Sequence, residues 1–336
     1  MADVAAAASA SSCDVALALA ADPRVPSELR RRVVEAVDAT GYRPLQAIQA
    51  RLGRPPRFAV VFKTYHRDDP EANRFYAPIA SAIAIACATR GAEIGQATMI
   101  VDDQYELREI PAALTDGAYD GAFLIGTKLG AGAVESLGNI CPIVLVDGYS
   151  DGDVADSVVT DNVAGARMAV EHLVASGHRD IGLIGTEPVC YPSVQDRRTG
   201  YTEALLAHGL ATHFIDASYV MTEAVAVLAL DYIQRHPAVT AVFGVNDLIT
   251  VAFMQLARNA GLRIPADLSL VGFDDIDLAS IVMPALTTLA VDKALMGRAG
   301  FALLAHRLEI PSSAPIHAMV IPRLVERESV VAPRSR

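Results

Sequence analysis

The chain has 336 residues, 52% of them hydrophobic and 20% charged, which is enough to bury a large core and too apolar for a disordered polymer. A net charge of −11 excludes a uniformly basic nucleic-acid-binding protein, but not a small basic module on an acidic body. The charge is uneven in that sense: residues 1–57 carry a net +2 and the remainder −13.

Alanine dominates the first 21 residues, but Asp3 and Asp14 interrupt them and the first basic residue is Arg24, so they do not read as a secretory signal. Ser11-Ser12-Cys13-Asp14 has the form of a capping box with Asp in place of Glu, and predicts a helix carrying Val15 and Leu19. A shorter helix precedes Ser9. Pro26-Ser27-Glu28 opens a third, with Leu29, Val33 and Val37 on one face and Gly41 as its stop. Three short helices bury little apolar area, so residues 1–45 form a marginal unit. Residues 46–57 read as a linker that Pro55-Pro56 ends stiffly.

From residue 58 the period changes. Apolar runs at 58–62, 93–99, 121–126, 142–147, 180–185, 241–246 and 268–274 predict strands. Helices are predicted near 77–90, 105–114, 163–176, 197–208, 222–236, 248–261 and 293–307. This alternation predicts an α/β protein with parallel sheets covered on both faces, in two doubly wound halves. No stretch is long and apolar enough to predict a membrane span. Cys13, Cys87, Cys141 and Cys190 are too far apart in sequence for a zinc or disulfide framework, which suits a reducing cytoplasm.

Polar residues stand where the strands end: Lys63, Asp147, Asn246, Asp247, Asp274 and Asp275. Ligands of open α/β sheets bind at such ends, and Asp147, Asn246 and Asp274 are assigned to that role. The other role for a strand-end Asp is to cap the next helix, to which Asp247 and Asp275 are assigned. No constellation for an enzyme is present, and Gly130-Ala131-Gly132 lacks the third glycine of a dinucleotide loop. No cofactor and no metal site is expected.

Several segments together resemble the LacI/GalR family of bacterial transcriptional repressors. DVAAAASASS resembles its helix-turn-helix opening, and VPSELRRRVVEAVDATGYRP its third helix and hinge entry. VVTDNVAGARMAVEHLVASGHRDIGLIG, DRRTGYTEAL, AVFGVNDLITVAFMQLARNAGLRIPADLSLVGFDD and PALTTLAVD match in order and spacing. The resemblance implies two Rossmann-like subdomains of the type I periplasmic-binding-protein kind behind a small all-α helix-turn-helix head. It places the head at 1–45, the hinge at 46–57, an N-terminal effector subdomain at 58–162 with 290–322, and a C-terminal one at 163–289 with 323–336. It implies an effector, a sugar or sugar acid, in the cleft between the subdomains, held by Asp147, Arg197, Asn246 and Asp274. Arg197 has a physical case as well, since a guanidinium fork can hold two hydroxyls or a carboxylate. Its alternative is a surface ion pair with Asp196. Lys63, Tyr65, Phe75 and Tyr76 are the N-terminal subdomain's candidates, the aromatics to stack on a sugar face. A cytoplasmic homodimer that presents two heads to a pseudo-palindromic operator is also implied. The segment 77–90 either joins that contact or covers its own sheet.

Contacts with double-stranded DNA would fall on Ser11, Ser12, Cys13, Arg30, Arg43, Arg51 and Leu52. The head departs from the family pattern, however. Asp14, Ala16 and Leu17 stand where the family has Thr, Ser and Arg, and Leu45 replaces the hinge Asn. A carboxylate at Asp14 repels phosphate. Arg30, Arg31, Arg32, Arg43, Arg51 and Arg54 remain to neutralise it. Two readings follow: an effector-controlled repressor with a degenerate head, or a small-molecule sensor of repressor ancestry that has lost specific DNA binding.

Overall fold

A computed structural model describes residues 2–19, 22, 24–40, 52–64, 72–101, 107–152, 154–188, 190–217 and 222–334. The chain divides into two compact units, Met1–Val159 with Asp292–Val320, and Thr160–Val291 with Ile321–Arg336, and passes from one to the other three times.

The first unit opens with helices α1 (Ala2–Ala7), α2 (Ser12–Leu19) and α3 (Ser27–Thr40). The capping box is formed: Asp14 N–H donates to Ser11 Oγ at 3.0 Å, and Ser11 N–H to Asp14 Oδ2 at 3.2 Å. Ser9 makes the turn in the left-handed region, at φ 48°. Val4, Ala8, Val15, Val33 and Ala36 are buried. Gly41 lies outside the described residues, as do residues 46–51 of the linker.

Next come β1 (Arg57–Thr64), α4 (Ala72–Thr89), β2 (Glu93–Val101), β3 (Leu107–Glu109), α5 (Ala112–Thr115) and β4 (Gly121–Ile125). Then follow β5 (Lys128–Leu129), α6 (Ala131–Gly138), β6 (Ile143–Val146), β7 (Tyr149–Ser150) and β8 (Asp156–Thr160). The second unit holds α7 (Asn162–Ala175), β9 (Ile181–Thr186), α8 (Pro192–Ala207), β10 (His213–Asp216), α9 (Thr222–Arg235) and β11 (Ala241–Gly244). It continues with α10 (Asp247–Asn259), β12 (Ser269–Asp274), α11 (Asp277–Ile281) and β13 (Thr287–Ala290). Returning to the first unit, the chain forms α12 (Lys293–Glu309) and β14 (His317–Val320), and β15 (Arg323–Val325) then completes the second.

The first unit's main sheet has the order β14-β8-β6-β4-β1-β2-β3, and the second unit's β10-β9-β11-β12-β13-β15. The central pairs are parallel, with antiparallel edges at β3 and β15. Residues of GAFLI, IVLV and AVFG are buried throughout, as strands covered on both faces must be. Strand order reverses at β1 in the first sheet and at β9 in the second, so each unit has its switch point beside the strand ends singled out above. The return through β14 is tied down by buried Asp156, which accepts from Arg307 Nε at 2.8 Å, Arg307 Nη2 at 2.9 Å and Ile316 N at 2.8 Å.

The helix expected at 105–114 does not form. Pro111 blocks a continuous helix and favours extended backbone before it, so Leu107–Glu109 pairs with β2 and only Ala112–Thr115 coils. Among the described residues no helix is long and apolar enough to cross a membrane.

Candidate functional site

In the second unit the candidate residues gather on Arg197. It lies in α8, and the packing of α8 on α7 requires Gly200, because a Cβ there would collide with the Val163 carbonyl oxygen. That approach brings buried Asn162, at the start of α7, to Arg197. Arg197 Nε donates to Asn162 Oδ1 at 2.8 Å, Nη1 donates to the Val245 carbonyl at 2.5 Å, and Nη2 lies 3.2 Å from Asp274 Oδ1. The guanidinium also stacks 3.8 Å from the Phe273 ring centroid. The side chain is 7% exposed. The alternative of a surface pair with Asp196 is therefore corrected: the partner is Asp274, and the pair is buried. Burial pushes the Asp196 carboxyl up, against the pull of Arg197.

Asp274 sits at φ 109° and Asp275 at φ 50°. In the first unit Asp147, at the end of β6, sits at φ 50°. Among the described residues only Ser9 is a further non-glycine residue in that region. Side chains rarely adopt it, and such strain collects at sites the surrounding structure holds for a purpose. Asp147 is buried and accepts from Tyr76 Oη at 3.2 Å. Tyr76 fits closely over Gly126, where a Cβ would strike its ring and where φ is +65°. Phe75 meets Tyr76 edge-on at 5.2 Å, and Lys293 lies 5.3 Å from the Phe75 centroid. Lys63, near the end of β1, is half-buried. Tyr65 lies outside the described residues.

Asn246 caps α10: its Oδ1 accepts from Ile249 N at 2.9 Å. The cap roles expected for Asp247 and Asp275 are corrected. Asp247 is fully buried one residue inside α10, accepting from Thr288 Oγ1 at 2.6 Å and Ile276 N at 2.9 Å. Burial, then the charge of Asp274, pushes its carboxyl up to about 8. Asp275 pairs with Arg327 at 2.6 Å. Asp147, Asp274 and Asp275 thus share the strained backbone, while Asp247 turns inward and braces the fold.

Two residues went unnoticed in the sequence. Asn162 carries no charge and touches Arg197 only through folding. Thr127 directly follows β4 beside Gly126; it is fully buried, and its Oγ1 has no hydrogen-bond partner among the described residues. A polar residue one step past an apolar run was the available signal for Thr127.

In the head, Ser11 is exposed and Ser12, Cys13, Arg30 and Leu52 are half-buried. Arg43 and Arg51 lie outside the described residues. Arg30 donates to the Asp22 carbonyl. Arg31 is paired with Glu28 at 2.5 Å and Glu35 at 2.6 Å, and Arg54 with Asp120 at 2.8 Å. Much of the basic charge of this region is therefore already partnered.

Residues 170–330 match the model of the periplasmic binding protein-like domain. The chain is 29% identical over 318 residues to the HTH-type transcriptional repressor CytR of Escherichia coli, covering 92% of this chain and 89% of that one. It is 28% identical over 312 residues to the HTH-type transcriptional regulator CelR of Thermobifida fusca, covering 91% of each. Among solved structures, a complex of the regulator CelR with cellobiose superposes with a TM-score of 0.66 at 25% identity, covering 98% of both chains.

Proposed function

Because the chain belongs to the LacI/GalR family of bacterial transcriptional regulators, we propose that it is a cytoplasmic repressor whose hold on operator DNA is set by a small hydroxylated effector, a sugar or sugar acid. It is a regulator rather than an enzyme, as its relatives are. The observation that carries the effector reading is the pair of strained strand-end aspartates, Asp147 and Asp274, the second braced by Arg197. Carboxylates and a guanidinium at fixed angles suit the alternating donors and acceptors of a polyol. Lys63 and Thr127 add polar groups at strand ends of the first unit, and Asn246 adds one at a strand end of the second. The aromatic pair Phe75 and Tyr76 supplies an apolar surface for a sugar face. The cellobiose bound by the CelR relative supports this class of ligand.

A homodimer is part of the proposal, since a two-headed regulator reads a pseudo-palindrome. Ile281 and Met283 of the second unit are 74% and 75% exposed and suit such a contact. In α4, Ile79, Ile83 and Cys87 are buried, so that helix chiefly covers its own unit.

The second reading, a sensor that no longer binds DNA specifically, draws on Asp14, Ala16 and Leu17 and on the partnered arginines Arg31 and Arg54. Two measurements separate them. A thermal-shift screen over sugars, sugar acids, polyols and nucleosides is expected to raise the melting temperature with one hydroxylated class; no response from any would remove the effector. Gel shifts with genomic operator fragments across salt are expected to show weak, steeply salt-dependent binding with modest selectivity. Binding that does not distinguish operator from random DNA at any salt selects the sensor.

A further inference from the structure

We propose that α2 docks on α12 of the same chain through the face that would read DNA, so that core docking and DNA binding compete for one helix. The inference rests on reading α1–α3 as a helix-turn-helix head.

Twelve of the 17 residues of α12 are buried, including Phe301, Ala302, Leu303, Leu304 and Ala305 in one unbroken run. A helix that is apolar nearly all round must be covered on every side. One side of α12 packs on β4 and β6, another on α4, and α2 covers part of the rest.

The burial of α2 matches. Val15, Ala16 and Ala18 are all buried, and at about 100° per residue they span an arc of about 160°. Its neighbours are α1, α3 and α12. Val15 serves the small core of the head. Ala16 stands where the family pattern has a DNA-facing Ser, yet it is completely buried. A Ser at position 16 would set a hydroxyl in this buried face. Ala16 does not, so a substitution that weakens DNA contact also fits this face to a protein surface, while Leu17 lies on the opposite side of the helix.

Two features mark the seam. Leu19 shares a cavity of about 310 Å³ with Ile85 and Ala86 of α4 and with Arg298, Phe301 and Ala302 of α12. At the other end, the charge of Asp292, the N-cap of α12, acts on Arg24 in the loop after α2. Both lie within one unit of the chain, and the proposal commits to the chain's own head as the occupant.

The test uses the full-length chain with Cys13, Cys87, Cys141 and Cys190 replaced by alanine. Leu19→Cys and Arg298→Cys are combined and treated with a short bismaleimide. The expected product is a monomer linked between positions 19 and 298, in a yield independent of protein concentration. A product that is only intermolecular, or none, overturns the proposal. Ala302→Glu sets a charge in the seam and should abolish the cross-link; a yield equal to the parent's also overturns it. If that variant does not fold by circular dichroism, Ile85→Glu takes its place, since Ile85 is 64% exposed yet lines the same cavity. Where nine-tenths of the heads are docked, their release should tighten binding to a random duplex about tenfold by fluorescence anisotropy. An intact cross-link with no DNA binding by parent or variant upholds the docking while it retires the DNA-binding reading.

Discussion

Replacing Arg197 by alanine should lower the unfolding free energy by about 3–5 kcal/mol, the usual result of removing one partner of a buried ion pair. The carboxylate of Asp274 is only 14% exposed and would lose the cation beside it. The Val245 carbonyl and Asn162 Oδ1 would each lose a donor, and Phe273 its stacked guanidinium. Ligand binding should weaken as well, by at least about tenfold, because a buried hydrogen bond to a charged group contributes about 1.5–3 kcal/mol. The alanine variant therefore mixes two effects, and Arg197→Lys separates them. Lysine keeps the charge near Asp274 but cannot reproduce the planar fork that reaches Asn162 and Val245 together. It should recover a substantial part of the stability and little of the affinity. Urea unfolding followed by circular dichroism, paired with calorimetry on whichever sugar the screen selects, measures both. A midpoint for Arg197→Ala equal to the parent's would show that the pair with Asp274 does not brace the second unit.

The alternation of strands and helices was legible because buried parallel strands write themselves as unbroken runs such as FAVVF and GAFLI, whichever residues they later touch. The strand-end positions followed from the same runs. What could not be read was pairing across the chain. Asn246 and Asp247 are adjacent, and one residue of register decides which of them caps α10. Asn246 has the extended backbone of a cap, so Asp247 turns inward against Gly272, whose missing side chain makes room for the carboxylate. Nothing local reveals that contact. Arg197 likewise chooses Asp274 over its neighbour Asp196 because α8 is pulled close to α7 at Gly200. The helix expected at 105–114 gives way to a strand at Leu107–Glu109, and Pro111, which favours extended backbone in the residue before it, stands at the cap of α5. The short edge strands β14 and β15 carry too few residues to show a period.

The placement of Asp247 gives this protein a distinctive response to pH. Its carboxyl ordinarily titrates near 3.8 and is pushed up to about 8 by burial and by the charges of Asp274 and Asp275. The folded chain therefore holds a proton that the unfolded chain releases, across the window from about pH 4 to about pH 8. Stability must fall as pH rises through that window, by up to about 1.4 kcal/mol per unit, and level off above it. The buried histidines act in the opposite direction: burial lowers the pKa of His178 and of His306, so their contribution grows as pH rises toward the ordinary histidine value. A comparison with Asp247→Asn cancels them. The amide is neutral at every pH, nearly the same shape, and still offers an oxygen to Ile276 N, while the Thr288 hydroxyl can turn to accept from its nitrogen. Calorimetric melting of both proteins between about pH 5 and pH 8 should show the parent losing up to about 4 kcal/mol relative to Asp247→Asn. Curves that stay parallel across that range would mean that Asp247 is ionised in the folded protein. Its bonds to Ile276 and Thr288 would then have to overcome both the burial and the charge of Asp274, and Asp247 would be a buried anion held by two donors rather than a neutral brace between α10 and β13.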